Sequence, residues 1–174
     1  MGSYKLNHNV FREYDIRGIV DQDFSEDFVY DLGKSIGTQF LSIGENLIAV
    51  SGDLRETTDF IKPILIRGLI DTGIDVVDLG KLTTPMNYYS MYAIDRVNCS
   101  IQITGSHNSL DYNGFKISHD KKPFFGADII KLKQNIVLGD YSHGIGSIEY
   151  VELIDEYKLM LENKISLNKR ESVA

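Results

Sequence analysis

Thr104-Gly105-Ser106-His107-Asn108 sets a hydroxyl, an imidazole and an amide side by side on a glycine-containing loop. The run before it, Cys99-Ser100-Ile101-Gln102-Ile103, reads as a strand, and Gly114-Phe115-Lys116-Ile117 brings an ammonium back after a polar turn. A nucleophile presented at a strand end points to covalent catalysis. Backbone N–H groups beside a glycine can approach phosphate oxygens, so phosphoryl is the expected group. Lys116 would act as a point charge that polarises a hydroxyl or holds phosphate; otherwise it is a solvated strand lysine. His107 could shuttle a proton, donate a hydrogen bond to phosphate, or only shape the loop. Neighbouring residues of an extended chain point opposite ways, so a Ser-His dyad needs loop geometry. Asn108 could hold the loop or touch phosphate.

Two other places carry charge in suggestive settings. Arg17, in Asp15-Ile16-Arg17-Gly18, has a guanidinium fork able to grip phosphate oxygens in two directions; the alternative is an ion pair with the nearby aspartate. Asp53 and Arg55 follow the apolar run Asn46-Leu47-Ile48-Ala49-Val50-Ser51 and its closing Gly52. The carboxyl end of a strand in an open α/β sheet faces ligands, so these two either contact substrate or pair with each other.

The elements that must position these groups follow from periodicity. The first eight residues read as a loose lead-in, and 11–20 as loop with a short extended piece. Ser25 is an N-cap, and Phe28, Leu32, Ile36 and Phe40 recur at helical spacing up to Gly44, predicting a helix over 26–42. Residues 46–51 read as a buried strand, and 75–79 and 97–103 as two further strands. Between them, Thr57 or Thr58 caps a helix burying Phe60, Ile64, Leu65 and Leu69, and Thr84-Pro85 starts another. Tyr112-Asn113-Gly114 reads as a turn before a strand over 114–118 that forms an antiparallel edge. A helix follows over 127–138, then a glycine-rich linker over 141–147. A last helix over 151–165 has Val151, Ile154, Tyr157, Leu161 and Ile165 on one stripe, and 168–174 is expected to fray. Alternating strands and helices indicate a layered α/β domain with a mixed, mainly parallel sheet flanked by helices.

The serine segment resembles the active-site loop of the α-D-phosphohexomutases, the phosphomannomutase/phosphoglucomutase enzymes, down to Tyr112-Asn113-Gly114-Phe115-Lys116. Tyr14-Asp15-Ile16-Arg17-Gly18 is similar to that family's N-terminal loop, and Gly52-Asp53-Leu54-Arg55 to its Gly-x-Asp-x-Arg strand end. Ser109 stands where the family usually has proline, and Ser51 and Gly52 also depart from the pattern. The resemblance implies a phosphohexomutase domain 1 over residues 9–147, with 148–174 leading towards a second domain. It implies that Ser106 carries a phosphoryl group between the two ends of a hexose phosphate, through a bisphosphate that also serves as activator. Tyr14 would line the sugar pocket, and Arg17, Asn108, Asp53 and Arg55 would contact phosphate. A Mg2+ ion would bind the phosphate on Ser106. The family's Asp-Gly-Asp-x-Asp-Arg metal loop, its sugar-recognition loop and its C-terminal phosphate loop are absent from these 174 residues, so the chain alone is expected to be nearly inactive and to bind Mg2+ weakly or not at all.

Composition sets the outer bounds. Hydrophobic residues are 43% and charged residues 25%, as in a globular domain, and the formal charge of -7 argues against a nucleic-acid partner. A phosphate site must therefore be a local positive patch, for which Arg12, Arg17, Arg55, Lys116, Lys121 and Lys122 are the candidates. The most apolar stretch, 60–77, is broken by Lys62, Arg67, Asp71 and Asp75, so no membrane span is expected and the cytoplasm is the default location. The single cysteine, Cys99, reads as a core residue; His8, His119 and His143 show no metal-ligand spacing and read as surface residues. Two other functions stay in view. One is a non-catalytic regulatory module that dimerises through the last helix. The other, a serine hydrolase, lacks the Gly-x-Ser-x-Gly elbow.

Overall fold

The structure, a computed structural model, describes residues 4–165. After a short 3-10 turn at His8–Val10 come β1 (Ile16–Ile19), the one-turn α1 (Val20–Asp23), α2 (Glu26–Ser42), β2 (Leu47–Gly52), α3 (Glu56–Ile70), β3 (Asp75–Lys81), α4 (Thr84–Ala93), β4 (Cys99–Ile103), β5 (Tyr112–His119), β6 (Lys122–Pro123), α5 (Ala127–Leu138), β7 (Ile148–Tyr150) and α6 (Ile154–Lys164). The strands form one sheet in the order β1-β5-β4-β2-β3-β7, with β6 hairpinned onto β5. The half from β4 to β7 is parallel, and the half around β5 is antiparallel. This is the mixed sheet with flanking helices that the alternation of elements predicts.

β2, β4 and the middle of β3 are buried on both faces, which is why β2 reads as a nearly unbroken apolar run. Ile48 and Val50 of β2 join Phe28, Leu32, Ile36 and Phe40 of α2 and Ile61, Leu65 and Leu69 of α3 in one core. Leu47, Ala49, Val77 and Leu79 face the other way, onto Met91 of α4 and Leu153 at the start of α6. The sheet is thus the middle of three layers. α2 begins where Ser25 Oγ accepts the Phe28 N–H at 3.2 Å. It ends on Gly44 at φ +88, with Gly44 N donating to Leu41 O (3.1 Å) and Glu45 N to Phe40 O (3.0 Å). This paired closure needs the left-handed conformation that glycine adopts freely.

Several expectations change. The lead-in is anchored rather than loose: Tyr4 and Leu6 pack against the core, the Tyr4 ring meets Phe28 edge-on at 5.8 Å and its hydroxyl donates to Asp31. Neither Thr57 nor Thr58 caps α3. Both lie inside its first turn, and Phe60 is exposed while Ile61 takes the buried place. Tyr112-Asn113-Gly114 is the start of β5 rather than a turn. Asn113 is fully buried, its amide donating to Thr57 Oγ1 (3.0 Å) and Thr58 Oγ1 (3.1 Å) and its carbonyl accepting the Gly114 N–H. These tertiary hydrogen bonds override the turn preference of Asn-Gly. β5 is interior to the sheet and β1 is the edge.

Residues 148–150, read with the terminal helix, form β7 and pair with β3; α6 starts three residues later than expected. On α6, Tyr157 packs against Tyr89 of α4 at 5.3 Å, while Ile165 is exposed and no residue of the helix is buried. Residues 168–174 lie outside the described residues. No helix among the described residues is long and apolar enough to cross a membrane.

Candidate functional site

The serine loop leaves the carboxyl end of β4 between two very different neighbours. On one side β2 runs parallel to β4, and on the other β5 runs antiparallel. Thr104 N donates to Gly114 O at 2.9 Å, keeping the ladder to the last residue before the loop. The chain then turns sharply. Ser106 is exposed and sits at φ +55, in the left-handed region that a serine adopts only at a cost of roughly 1 kcal/mol. Its N–H is held by Thr104 Oγ1 (2.9 Å), which in turn donates to Asp53 Oδ2 (2.8 Å).

Arg55 holds the loop in this shape. Its Nη1 donates to the carbonyls of Ser109 (2.6 Å) and Tyr112 (3.0 Å), and its Nη2 to those of Asn108 (2.8 Å) and Ser106 (3.3 Å). Its Nε donates to Asp53 Oδ2 at 3.2 Å. All five guanidinium N–H groups are thereby engaged. Of the two roles open to Arg55, phosphate contact or pairing with Asp53, the geometry has it paired and clamping the loop. Asp53 is equally committed, since it also accepts from Arg55 N (3.0 Å) and Thr58 Oγ1 (2.8 Å). Gly105 makes the clamp possible: a Cβ there would lie 2.5 Å from Arg55 Cζ.

A second group of charges lies across β5. Arg17 on β1 stands opposite Gly114, so its side chain shares a face with Lys116 two residues on. Arg17 Nη1 donates to Asn108 Oδ1 (2.7 Å), tying β1 to the serine loop, and Nη2 donates to Asp15 Oδ2 (2.5 Å). Lys116 Nζ lies 3.8 Å from the same Asp15 oxygen. Arg17 Nε is buried without a partner. The sequence thus brings Arg17, Lys116, Asn108 and Ser106 to one end of the sheet. His107 is exposed on the same loop and makes no hydrogen bond to another described residue. Tyr14 is 69% exposed and lies against the half-exposed Phe125, ring centroids 6.1 Å apart, as an aromatic shelf two residues from Ile16.

Lys121 and Lys122 do not join the patch. They follow the far end of β5, an eight-residue strand spanning roughly 25 Å, where Lys121 covers the Tyr92 ring and Lys122 faces Asp120. Arg12 is exposed, with its backbone N–H on Asp15 O.

The arrangement can hold an anion beside a fixed, exposed hydroxyl. It does not form a magnesium shell, which needs several free oxygen ligands. Both oxygens of Asp53 are taken by Arg55, Thr58 and Thr104, and Asp15 is engaged by Arg17 and Lys116. Two contributors have a larger part than the sequence reading gave them: Asp15 entered it only as a possible ion-pair partner of Arg17, and Thr104 only as a motif residue. Asp15, buried at 8% exposure, sets the spacing of the two cations, and Thr104 relays Asp53 to the Ser106 N–H. Strand alternation, which places Asp15 and Arg17 on one face, was the signal for the first.

Residues 8–136 match the family model described as phosphoglucomutase/phosphomannomutase, alpha/beta/alpha domain I. The chain belongs to the phosphoglucomutase/phosphomannomutase family. It is 35% identical over 164 residues to a phosphomannomutase/phosphoglucomutase of Pseudomonas aeruginosa, covering 94% of this chain and 35% of that protein. It is 39% identical over 117 residues to a phosphomannomutase of Escherichia coli, covering 67% of this chain and 25% of that one. The chain therefore spans about a third or less of these relatives. A crystal structure of a phosphoglucomutase/phosphomannomutase family protein from Burkholderia thailandensis superposes with a TM-score of 0.90 at 30% identity, over 95% of this chain and 38% of that one. A Thermus thermophilus structure at 22% identity and TM-score 0.80 supports the fold alone.

Within this phosphoglucomutase/phosphomannomutase domain, two of the three departures noted in the sequence have local accounts. Ser109 donates its hydroxyl to Asp111 and its carbonyl accepts from Arg55 and from Tyr112 N, so hydrogen bonds fix the place where proline is usual. Ser51 is buried under the loop, donating to Gln102 Oε1 (2.6 Å) and accepting from Asn87 Nδ2 (2.7 Å).

Proposed function

We propose that this chain is the phosphoserine-bearing domain of a hexose-phosphate mutase. In that reaction a phosphoryl group on Ser106 passes to the free hydroxyl of a hexose monophosphate, giving a bisphosphate and a free serine. After the bisphosphate turns over, the Ser106 oxygen takes the phosphoryl from the other end, and the isomeric monophosphate leaves. His107 is the group at hand to take the proton of the attacking hydroxyl and return it. Arg17 and Lys116 offset the anionic charge, and Asn108 orients Arg17. Positioning and charge account for most of the rate gain in such a transfer. The magnesium ion that the resemblance implies needs ligands beyond the described residues.

The observation that carries this reading is the exposed Ser106 hydroxyl on a backbone held at φ +55 by a clamp that makes no use of the serine side chain. Strain maintained at such cost marks a position where geometry matters. The test is to incubate the chain with glucose 1,6-bisphosphate and weigh it intact. The expected result is one added phosphoryl group, mapped to Ser106 and absent from Ser106→Ala. Uptake should be slow, because the magnesium ligands are incomplete; a folded chain still unmodified after prolonged incubation with the bisphosphate and excess Mg2+ would refute the reading and favour a non-catalytic module. Turnover of glucose 1-phosphate by the chain alone should be nearly absent; vigorous conversion would show that the sugar and metal sites are complete within these residues.

A further inference from the structure

The opposite end of β4 gathers a different set of groups. Cys99 opens the strand and His119 closes β5, and the two are direct partners in the antiparallel ladder. Cross-strand partners share a face with Cβ atoms about 5 Å apart. A carboxylate comes to meet them from a third element. Glu45 follows the closing turn of α2, fixed by its own N–H on Phe40 O, and its Oε1 lies 3.1 Å from His119 Nε2. Asn98 Nδ2 donates to the other carboxylate oxygen at 3.2 Å. The Phe40 ring lies against the imidazole, centroids 5.7 Å apart, and holds its orientation. One sulfur, one nitrogen and one carboxylate oxygen lie within 4.8 Å of one another.

We propose that Glu45, Cys99 and His119 form a structural site for a soft divalent cation of the zinc type, with water as fourth ligand. Tetrahedral zinc with bonds of about 2.0–2.3 Å needs donors roughly 3.3–3.6 Å apart. The observed cluster must therefore close by only about 1 Å. A thiolate, an imidazole and a carboxylate are the ligands zinc selects, and the sulfur disfavours magnesium or calcium. Cys99 is fully buried, whereas the His119 and Glu45 side chains are 31% and 22% exposed, which gives the ion a way in from solvent. On binding, the metal–sulfur bond forms as the thiol proton leaves to water. The ion would tie the end of α2 to β4 and β5. Sequence spacing could not announce this site, because its three donors come from three separate elements.

Cobalt(II) is the spectroscopic probe. Added to the full chain, it should give a near-ultraviolet sulfur-to-metal band saturating at one equivalent, displaced by zinc and untouched by excess magnesium. Cys99→Ser should abolish the band. His119→Gln and Glu45→Gln should each weaken zinc binding by about tenfold or more in calorimetry, and zinc should raise the urea midpoint of the wild-type chain but not of Cys99→Ser. His119→Gln alters a half-exposed side chain and keeps the proposal testable if the cysteine variant misfolds. No band with the wild-type chain, or a band that survives in Cys99→Ser, would overturn the assignment.

Discussion

The two ends of β4 use their polar groups in opposite ways. At the carboxyl end, side chains hold backbone: Arg55 binds four loop carbonyls, Thr104 accepts the Ser106 N–H, Asp53 braces both side chains, and Ser106 is left exposed. At the amino end, backbone holds side chains. The closing turn of α2 and the β4–β5 register bring a thiol, an imidazole and a carboxylate to one point. The first arrangement suits an anion that comes and goes, since its fixed groups survive the exchange. The second suits a resident cation, whose ligands are themselves the fixed groups. On the two proposals made above, a single strand supplies a reactive end and an anchoring end, with Ile101 and Ile103 in the core between them.

The largest effect that would test this contrast is chemical. Ser106→Ala should lower phosphoryl uptake from a hexose bisphosphate by roughly a thousandfold or more, with the urea midpoint unchanged or slightly raised, because an exposed strained residue contributes little to folding. Next, Arg55→Met removes five charge-assisted hydrogen bonds and leaves the Asp53 carboxylate short of a partner. It should cost about 3 kcal/mol of stability in urea titration, and hydrogen exchange should accelerate over 105–112 but not at Cys99. Uniform loss of protection along β4 would show that the two ends are one cooperative unit.

Gly105→Ala places a methyl 2.5 Å from Arg55 Cζ, so the clamp must shift. A cost of about 1–3 kcal/mol is expected, with phosphoryl uptake falling alongside. At the other end, Cys99→Ala should cost about 1 kcal/mol in the absence of metal and leave uptake at Ser106 intact. A matching loss of uptake would mean the anchoring end reaches the reactive one.

The smallest effect is an acid one at the sheet edge. Ser147 donates from its hydroxyl and its N–H to Asp75, holding that carboxyl below its usual range. The folded state therefore releases this proton more readily than the unfolded chain. The stabilisation is complete above the unfolded value of about 3.9 and disappears as pH falls through the folded one. Protection of the β7 amides, taken relative to the intrinsic exchange rate at each pH, should fall on acidification, and Asp75→Asn should flatten that fall.

The legible parts of the sequence were those that local rules decide. The β2 strand is a nearly continuous apolar run buried on both faces, β3 and β4 keep enough Val, Leu and Ile around the buried Asp78, Ser100 and Gln102 to read as strands, and α2 carries its own cap and stop. β1 and β7 are too short to announce themselves; they exist because β5 and β3 offer edges to pair with. Tyr112-Asn113-Gly114 misled because the Asn113 amide finds Thr57 and Thr58, which are distant in sequence. The residue types at the serine loop were evident, and so was Arg17. That Arg55 faces four carbonyls could not be read from Gly52-Asp53-Leu54-Arg55, since those carbonyls belong to a loop some fifty residues away. His119 was set aside as a surface residue for the same reason: its neighbours are tertiary.

Asp15 gives the cationic patch a character of its own. Arg17 and Lys116 already share a counter-ion, one nearly shielded from water. Any phosphate that docks beside them does so by displacement rather than by meeting bare charge, and the carboxylate is waiting to reclaim its partners when the visitor turns or departs. Such an internal rival weakens attachment and shortens residence together, which is the behaviour that the proposed transfer would ask of a surface releasing an anion in one orientation and taking it back in another.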